Sequence, residues 1–264
     1  MTSHRPLRVA IGQLRMHWTG EQNTQAIVAA LALAAAERAD LCVFPELAVT
    51  GFHRQIRTEA EPQRVHGWMQ AVRGACAEHS IAASVGVPTF PSEGRICNSN
   101  VLIDKSGQAV GIVEKNGLTP AEATFFARGS ERPVHALLGR RCSAILCREV
   151  EDLAEVGAQL PHGSADLVFW PGAMRPAIDG SSTDPDAHIK QGQTLARGIG
   201  AFLVQANWPN SLNYPEESTF AGQSVVIGPG GELVMRLPVA RAGVAVFELG
   251  ASTHTWHEQA AHES

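Results

Sequence analysis

Compact apolar runs alternate with amphipathic segments along most of the chain. Residues 7–14 and 41–44 are short apolar runs, which predict buried strands. Between them, apolar residues of the segment 21–36 recur at helical spacing, which predicts an amphipathic helix. The same patterns predict further helices over residues 65–79, 149–157 and 188–198, and further strands over residues 82–87, 100–104, 110–114, 143–147, 166–170, 202–206, 225–228, 232–236 and 244–247.

Prolines and glycines mark the ends of these elements. Pro45, Pro88 and Pro171 each follow an apolar run, and proline cannot donate to a sheet ladder. Polar, glycine-bearing stretches at residues 105–108 and 229–231 lie between predicted strands and indicate hairpins. Helices therefore alternate with strands early in the chain, whereas hairpins occur in its middle and at its end.

This order of elements predicts the fold class. No repeat, low-complexity segment or flexible linker divides the chain. We therefore expect a layered α/β fold with sheets covered by helices, in a single domain over residues 1–264 with its core at about 7–248. The polar tail, residues 250–264, contains His254 and His257 and is expected to be loosely held.

The composition narrows the class of protein. Apolar residues make up 44% of the 264 residues and charged residues 18%, which allows a sizeable core. The formal net charge of −5 gives no basic footprint for nucleic acid. The polar residues 1–6 lack the pattern of a secretory signal, and the most apolar stretch, residues 26–36, is too short to cross a bilayer. We therefore expect a cytoplasmic protein that binds neither nucleic acid nor membrane.

The cysteines indicate neither a disulfide framework nor a metal site. Their number is odd, no secretion signal is visible, and no two of them are spaced as CxxC. His254 and His257 lie in the polar tail, where a surface position is more common than a metal ligand. No glycine pattern typical of a nucleotide or dinucleotide site occurs. The five cysteines are Cys42, Cys76, Cys97, Cys142 and Cys147.

Three predicted strands end beside reactive side chains, Glu46, Lys115 and Cys147. Each is weak evidence alone, because such acids and lysines are usually solvated and a cysteine in an apolar strand is usually inert. Cys147 precedes a predicted helix, and a thiol at a helix N-terminus ionises more easily. Glu46, beside an apolar strand, is expected to have a raised pKa and to act as general base. Lys115 and the backbone N–H of Arg148 are expected to stabilise an oxyanion.

Several segments around these residues form a recognisable series. They are FPELAVTGF at residues 44–52, NSNVLID at 98–104, VEKNGL at 113–118, AILCRE at 144–149 and DLVFWPGAM at 166–174. In this order they resemble the segments with the catalytic glutamate, lysine and cysteine of the nitrilase-like carbon–nitrogen hydrolase superfamily. Weaker similarities follow, so that the resemblance covers residues 7–248.

The resemblance implies a four-layer α-β-β-α sandwich that pairs into a homodimer or a larger homo-oligomer. It implies hydrolysis of a small amide, ω-amide or N-carbamoyl substrate through a thioester on the cysteine, without a cofactor. Glu122 matches a second family glutamate that helps to position the lysine and the substrate. By position in the matching loops, the residues expected to line the substrate site are Phe52, Gly172, Ala173 and Met174.

Two departures from the family pattern leave the substrate open. The residues 148–152, Arg-Glu-Val-Glu-Asp, stand where many relatives have an aromatic residue followed by Asp-Leu-Arg-Phe-Pro. Lys115 is followed by Asn-Gly rather than by a polar residue with a bulky neighbour. Nitrile hydrolysis on the same fold is an alternative, and so is a catalytically silent binding or scaffold protein. The plainest alternative is a buried, structural Cys147.

Overall fold

The computed structural model describes residues 6–174, 184 and 186–259. Within these ranges the α-helices are α1 (Gly20–Ala36), α2 (Ile56–Glu59), α3 (Pro62–His79), α4 (Leu153–Gln159) and α5 (Ala187–Ile199). The strands are β1 (Arg8–Gln13), β2 (Leu41–Val43), β3 (Ala82–Ser92), β4 (Arg95–Ile103), β5 (Ala109–Glu114), β6 (His135–Leu137), β7 (Arg140–Ala144), β8 (Leu167–Gly172), β9 (Phe202–Asn207), β10 (Val225–Ile227), β11 (Leu233–Arg236), β12 (Gly243–Glu248) and β13 (His254–Glu258). Short 3₁₀ helices lie at Glu122–Thr124, Cys147–Glu151 and Pro215–Phe220.

The strands form two mixed sheets. The first has seven strands in the order β13-β12-β1-β2-β3-β4-β5, and β1, β2 and β3 run parallel. The second has six strands in the order β11-β10-β9-β8-β7-β6, and β7, β8 and β9 run parallel. Loops that follow neighbouring parallel strands meet at one edge of a sheet, which is where α/β proteins commonly place functional groups.

Three apolar layers join the sheets and helices. The first, which includes Ile27 and Val72, packs α1 and α3 against the seven-stranded sheet. The second lies between the two sheets, where Ile11 and Phe169 are fully buried. The third packs α4 and α5 against the six-stranded sheet around Trp170. This succession of helices, sheet, sheet and helices confirms the expected four-layer α-β-β-α sandwich.

Helix α3 shows how local sequence signals specify an element. Its first residue is Pro62, and proline suits this position because an N–H there would have no hydrogen-bond partner within the helix. The side chain of Glu61 caps the helix by accepting from the N–H groups of Gln63 and Arg64. Ser80 ends the helix in the left-handed conformation, with φ of 51°. These signals start the helix three residues earlier than its apolar pattern predicts.

Two predicted strand ends are wrong because a proline lies inside the strand. β3 continues through Pro88, and β8 continues through Pro171. Beyond Ser84, β3 no longer pairs with β2, and beyond Phe169, β8 no longer pairs with β7. One side of each strand is therefore free of a neighbour, so a missing N–H breaks no ladder bond there.

The expectation of a loosely held tail is also wrong for residues 254–258, and residues 260–264 of the expected tail lie outside the described residues. β13, which contains His254 and His257, pairs antiparallel with β12 along its whole length. The guanidinium of Arg241, two residues before β12, forms an ion pair with Glu258 at 2.6 Å, which adds a side-chain contact at the end of β13. The short strand β6 was not predicted either. None of the helices in the described ranges is long and apolar enough to cross a membrane.

Candidate active site

The three reactive residues come from loops after strands of both sheets. Glu46 lies three residues after β2, and Lys115 directly follows β5, both in the seven-stranded sheet. Cys147 lies three residues after β7 of the six-stranded sheet and begins a 3₁₀ helix. The strand predicted to end at Cys147 thus ends earlier, at Ala144. The structure brings these distant parts of the sequence together between the sheets.

The ammonium of Lys115 joins two carboxylates in a buried network. Its Nζ lies 2.7 Å from Oε1 of Glu46 and 2.5 Å from Oε1 of Glu122. The second oxygen of Glu122 accepts the N–H of Thr119 at 2.9 Å. Burial alone would lower the pKa of Lys115, but the negative charges around it outweigh burial and raise the pKa. Lys115 therefore stays protonated.

The two oxygens of Glu46 differ in their contacts. Oε1 accepts from Lys115 and from the side-chain amide of Asn98 at 2.8 Å. Oε2 is buried and has no hydrogen-bond partner among the described residues. Burial raises the pKa of Glu46, an effect that Lys115 opposes and Glu122 reinforces. A carboxylate with one free oxygen and a raised proton affinity suits a general base.

Cys147 is held in an uncommon backbone conformation at the edge of this network. Its φ is 53°, in the left-handed region that non-glycine residues seldom adopt. The residue as a whole keeps 9% of its surface exposed. Burial raises the pKa of the Cys147 thiol, Glu46 raises it further and Lys115 lowers it. The expected acidic thiol is therefore a wrong prediction for the resting site, because burial outweighs the helix N-terminus.

Two buried tryptophans fix the backbone beside the nucleophile and the acid. The indole N–H of Trp170 donates to the carbonyl of Cys147 at 2.9 Å. The indole N–H of Trp208 donates to the carbonyl of Glu46 at 2.8 Å, next to Leu47, whose φ is also positive at 51°. Holding strained backbone in this way is common where a side chain must be presented accurately. Neither role was predicted from the sequence.

The residues expected in the substrate pocket lie around the network. The ring of Phe52 is centred 6.0 Å from Nζ of Lys115. The Sδ atom of Met174 lies 3.5 Å from Sγ of Cys147. Asn207 fixes Met174 by accepting its N–H and donating to its carbonyl, both at 2.8 Å. Gly172 is the last residue of β8, and Ala173 lies between it and Met174.

The departures from the family sequence are also located by the structure. The guanidinium of Arg148, partly exposed, forms a two-point ion pair with Asp152 at 3.1 and 3.2 Å. It also approaches the carbonyl of Gly117 at 3.5 Å. The positive charge of Arg148 is therefore balanced by the carboxylate of Asp152, four residues further along the chain. Among the described residues, no group of three or more His, Cys, Asp or Glu side chains is arranged to hold a metal ion.

Comparison with known families identifies the class. The family model described as carbon-nitrogen hydrolase matches residues 8–258. The chain therefore belongs to the carbon–nitrogen hydrolase family, which confirms the resemblance seen in the sequence. A hydrolase of Mycobacterium tuberculosis is 27% identical over 252 residues, covering 87% of this chain and 84% of the relative. The glutamine-dependent NAD(+) synthetase of Acinetobacter baylyi is 22% identical over 236 residues. The match covers 88% of this chain but 42% of the synthetase, less than half of its length.

Solved structures of an amidase from Nesterenkonia sp. AN1 have the same fold. A mutant with the acetamide moiety of fluoroacetamide covalently added at the active-site cysteine is 25% identical, with a TM-score of 0.80. That match covers 92% of this chain and 90% of the amidase. A mutant in complex with butyramide is also 25% identical, covers 93% of this chain and 92% of the amidase, and has a TM-score of 0.80. Nitrilase-superfamily amidases are thus structural neighbours of this chain.

Proposed function

We propose that this protein hydrolyses the carbon–nitrogen bond of small amides, with Cys147 as nucleophile. Glu46 removes the thiol proton through its free oxygen, and the sulfur attacks the carbonyl carbon. Lys115 and the N–H of Arg148 stabilise the resulting oxyanion, while Glu122 positions Lys115. The intermediate collapses to a thioester and releases ammonia or an amine, which takes up the proton held by Glu46.

The second half of the reaction restores the enzyme. Glu46 removes a proton from a water molecule, which attacks the thioester carbonyl. The acid product leaves, and the proton returns to the sulfur of Cys147. A single domain is part of this proposal, because the nucleophile and the acid–lysine pair follow strands of different sheets. The substrate is a small amide, an ω-amide or an N-carbamoyl compound, and the enzyme works as a homo-oligomer in the cytoplasm.

The observation that carries the proposal is the convergence of an ammonium, two carboxylates and a thiol. Lys115 contacts both glutamates directly, and the Cys147 thiol is within electrostatic range of all three groups. A protein that only binds a ligand, or a cysteine that only fills the core, does not need this set. The amidase of Nesterenkonia sp. AN1, with its reactive active-site cysteine, supports the same chemistry.

The decisive experiment compares wild-type protein with Cys147→Ala on short amides, ω-amides, N-carbamoyl compounds and nitriles. Cys147→Ala should lower turnover at least ~1000-fold, because removing a nucleophile removes the covalent route. Cys142→Ala is the matched control, since Cys142 is also buried and lies five residues earlier on β7. Full activity of Cys147→Ala would overturn the mechanism. Acid release from nitriles but not from amides would make the protein a nitrile hydrolase.

A second measurement does not depend on knowing the substrate. Iodoacetamide should alkylate Cys147 ahead of the other four cysteines near neutral pH, as located by mass spectrometry of peptides. Lys115 favours the thiolate of Cys147 and Glu46 can take up its proton, whereas burial raises the pKa of Cys42 and Cys76 without a cation among the described residues that opposes it. Preferential labelling of another cysteine would contradict the proposal.

A further inference from the structure

The carboxylate of Glu149, two residues after the proposed nucleophile, is fully buried and bonded through both oxygens. Oε1 accepts the backbone N–H groups of Asn116 and Gly117 at 2.6 and 2.9 Å. Oε2 accepts the backbone N–H of Leu146 at 2.6 Å and a guanidinium N–H of Arg132 at 2.9 Å. Four donors therefore converge on one side chain with no exposed surface.

These donors belong to the two segments that carry the chemistry. Asn116 and Gly117 directly follow Lys115, whose strand is in the seven-stranded sheet. Leu146 directly precedes Cys147, which follows a strand of the six-stranded sheet. One side chain thus ties the backbone of the lysine to the backbone of the nucleophile across the space between the sheets.

Arg132 keeps this carboxylate ionised. Burial would raise the pKa of Glu149, but the Arg132 guanidinium and the backbone N–H groups outweigh burial and hold the pKa below its usual range. The Arg132 side chain is itself buried, and the same nitrogen donates to the carbonyl of Ala144 at 2.6 Å. An ionised carboxylate only accepts hydrogen bonds, so it can satisfy donors from several segments at once.

We propose that Glu149 is a positioning residue, which sets the distance between the Lys115 ammonium and the Cys147 thiol. The inference rests on the proposed function. A purely structural carboxylate needs bonds that satisfy its charge, but it does not need to join both catalytic segments. Misplacing reacting groups by about 1 Å costs on the order of 100-fold in rate. Loss of the tie should therefore affect turnover more than binding.

Glu149→Gln tests the proposal while keeping the size of the side chain. The amide keeps one acceptor oxygen, and its NH₂ group meets either the donors of Asn116 and Gly117 or those of Leu146 and Arg132, so one half of the tie is broken in both orientations. On the amide that wild-type protein hydrolyses fastest, kcat should fall about 100-fold while KM changes by less than about threefold. The control is Glu59→Gln. Glu59 is also a buried carboxylate that accepts a backbone N–H, from Gly20 at 2.7 Å, and pairs with an arginine. Its kcat should stay within about twofold of wild type.

The pH dependence of Cys147 alkylation by iodoacetamide separates positioning from a direct charge effect. The charged groups that act on the thiol are Glu46, Lys115 and Glu122. If the tie is lost, Lys115 stabilises the thiolate less, and the alkylation profile of Glu149→Gln should move to higher pH. Removing a negative charge without moving Lys115 would move the profile to lower pH.

The outcomes decide the proposal without ambiguity. An unchanged kcat, an unchanged alkylation profile or a shift to lower pH overturns it. If Glu149→Gln does not fold by circular dichroism, Glu149→Asp takes its place, because it keeps the charge but shortens the reach, and the same shifts should be smaller. Activity of Cys147→Ala is measured separately, so a failed positioning role can be told from a failed mechanism.

Discussion

Replacing Trp170 with Phe tests how the turn of the nucleophile is held. The change keeps an aromatic ring in the third apolar layer but removes the indole N–H that donates to the carbonyl of Cys147 at 2.9 Å. A buried carbonyl without this donor costs about 1–3 kcal/mol. A void of roughly 40 Å³, at about 24 cal/mol per Å³, adds about 1 kcal/mol. Trp170→Phe should therefore lose about 2–4 kcal/mol of unfolding free energy in urea.

Activity should fall more than stability alone explains. Cys147 has a φ of 53°, a left-handed conformation that costs an L-residue about 1–2 kcal/mol. Without the indole, the nucleophile can relax away from the network, and we expect kcat to fall about tenfold in protein that is still folded. Trp68→Phe is the control, because Trp68 lies on α3, packs against α1 at Gly20 and belongs to the first apolar layer rather than the third. A Trp170→Phe protein with wild-type unfolding free energy and wild-type kcat would refute this account of the turn.

Three more predictions concern the acid and the pocket. The proposed mechanism requires ionised Glu46 as base and burial raises the pKa of Glu46, so kcat/KM should fall with decreasing pH at values above 4.5, the ordinary glutamate pKa. An acid limb below 4.5 would contradict this. Gly86→Ala should abolish activity and lower Tm, because the new Cβ would overlap the carbonyl oxygen of Pro45. The control is Gly67→Ala in α3, where the new Cβ meets open space, and it should raise the free energy of unfolding by about 0.5–1 kcal/mol. Met174→Ala should shift preference toward amides with longer acyl chains, measured as kcat/KM ratios across a chain-length series; a constant ratio would show that Met174 does not bound the pocket.

The reactive residues could be predicted because their signals are local. Glu46, Lys115 and Cys147 each follow a short apolar run, and each run and the reactive residue after it lie within a few positions. Sheets covered by helices also follow from local periodicity, since helices and strands bury one face each, whereas the four-layer order was implied by the resemblance to the family. The prediction errors lie where pairing with a neighbouring strand determines the structure, as at Pro88 and in β13.

The supporting residues could not be predicted because their partners are distant in sequence. Asn98 contacts Glu46 from 52 residues away, and Trp208 contacts the same residue from 162 residues away. The pKa of the Cys147 thiol could not be predicted from the sequence for a similar reason. A helix N-terminus is visible in the sequence and favours ionisation, but burial depends on the whole fold and outweighs it.

The proposed catalytic residues are divided between two sheets, so hydrolytic activity depends on the two sheets staying packed together. The seven-stranded sheet brings the acid and the lysine, the six-stranded sheet brings the sulfur, and an apolar layer that includes Ile11 and Phe169 packs the two sheets together. Heat or a cosolvent that separates the sheets would abolish activity even if the hydrogen bonds within each sheet were kept. On heating, loss of hydrolysis should then precede loss of the far-ultraviolet circular dichroism signal. Separation of the sheets would thus be detected as lost activity before the secondary structure unfolds.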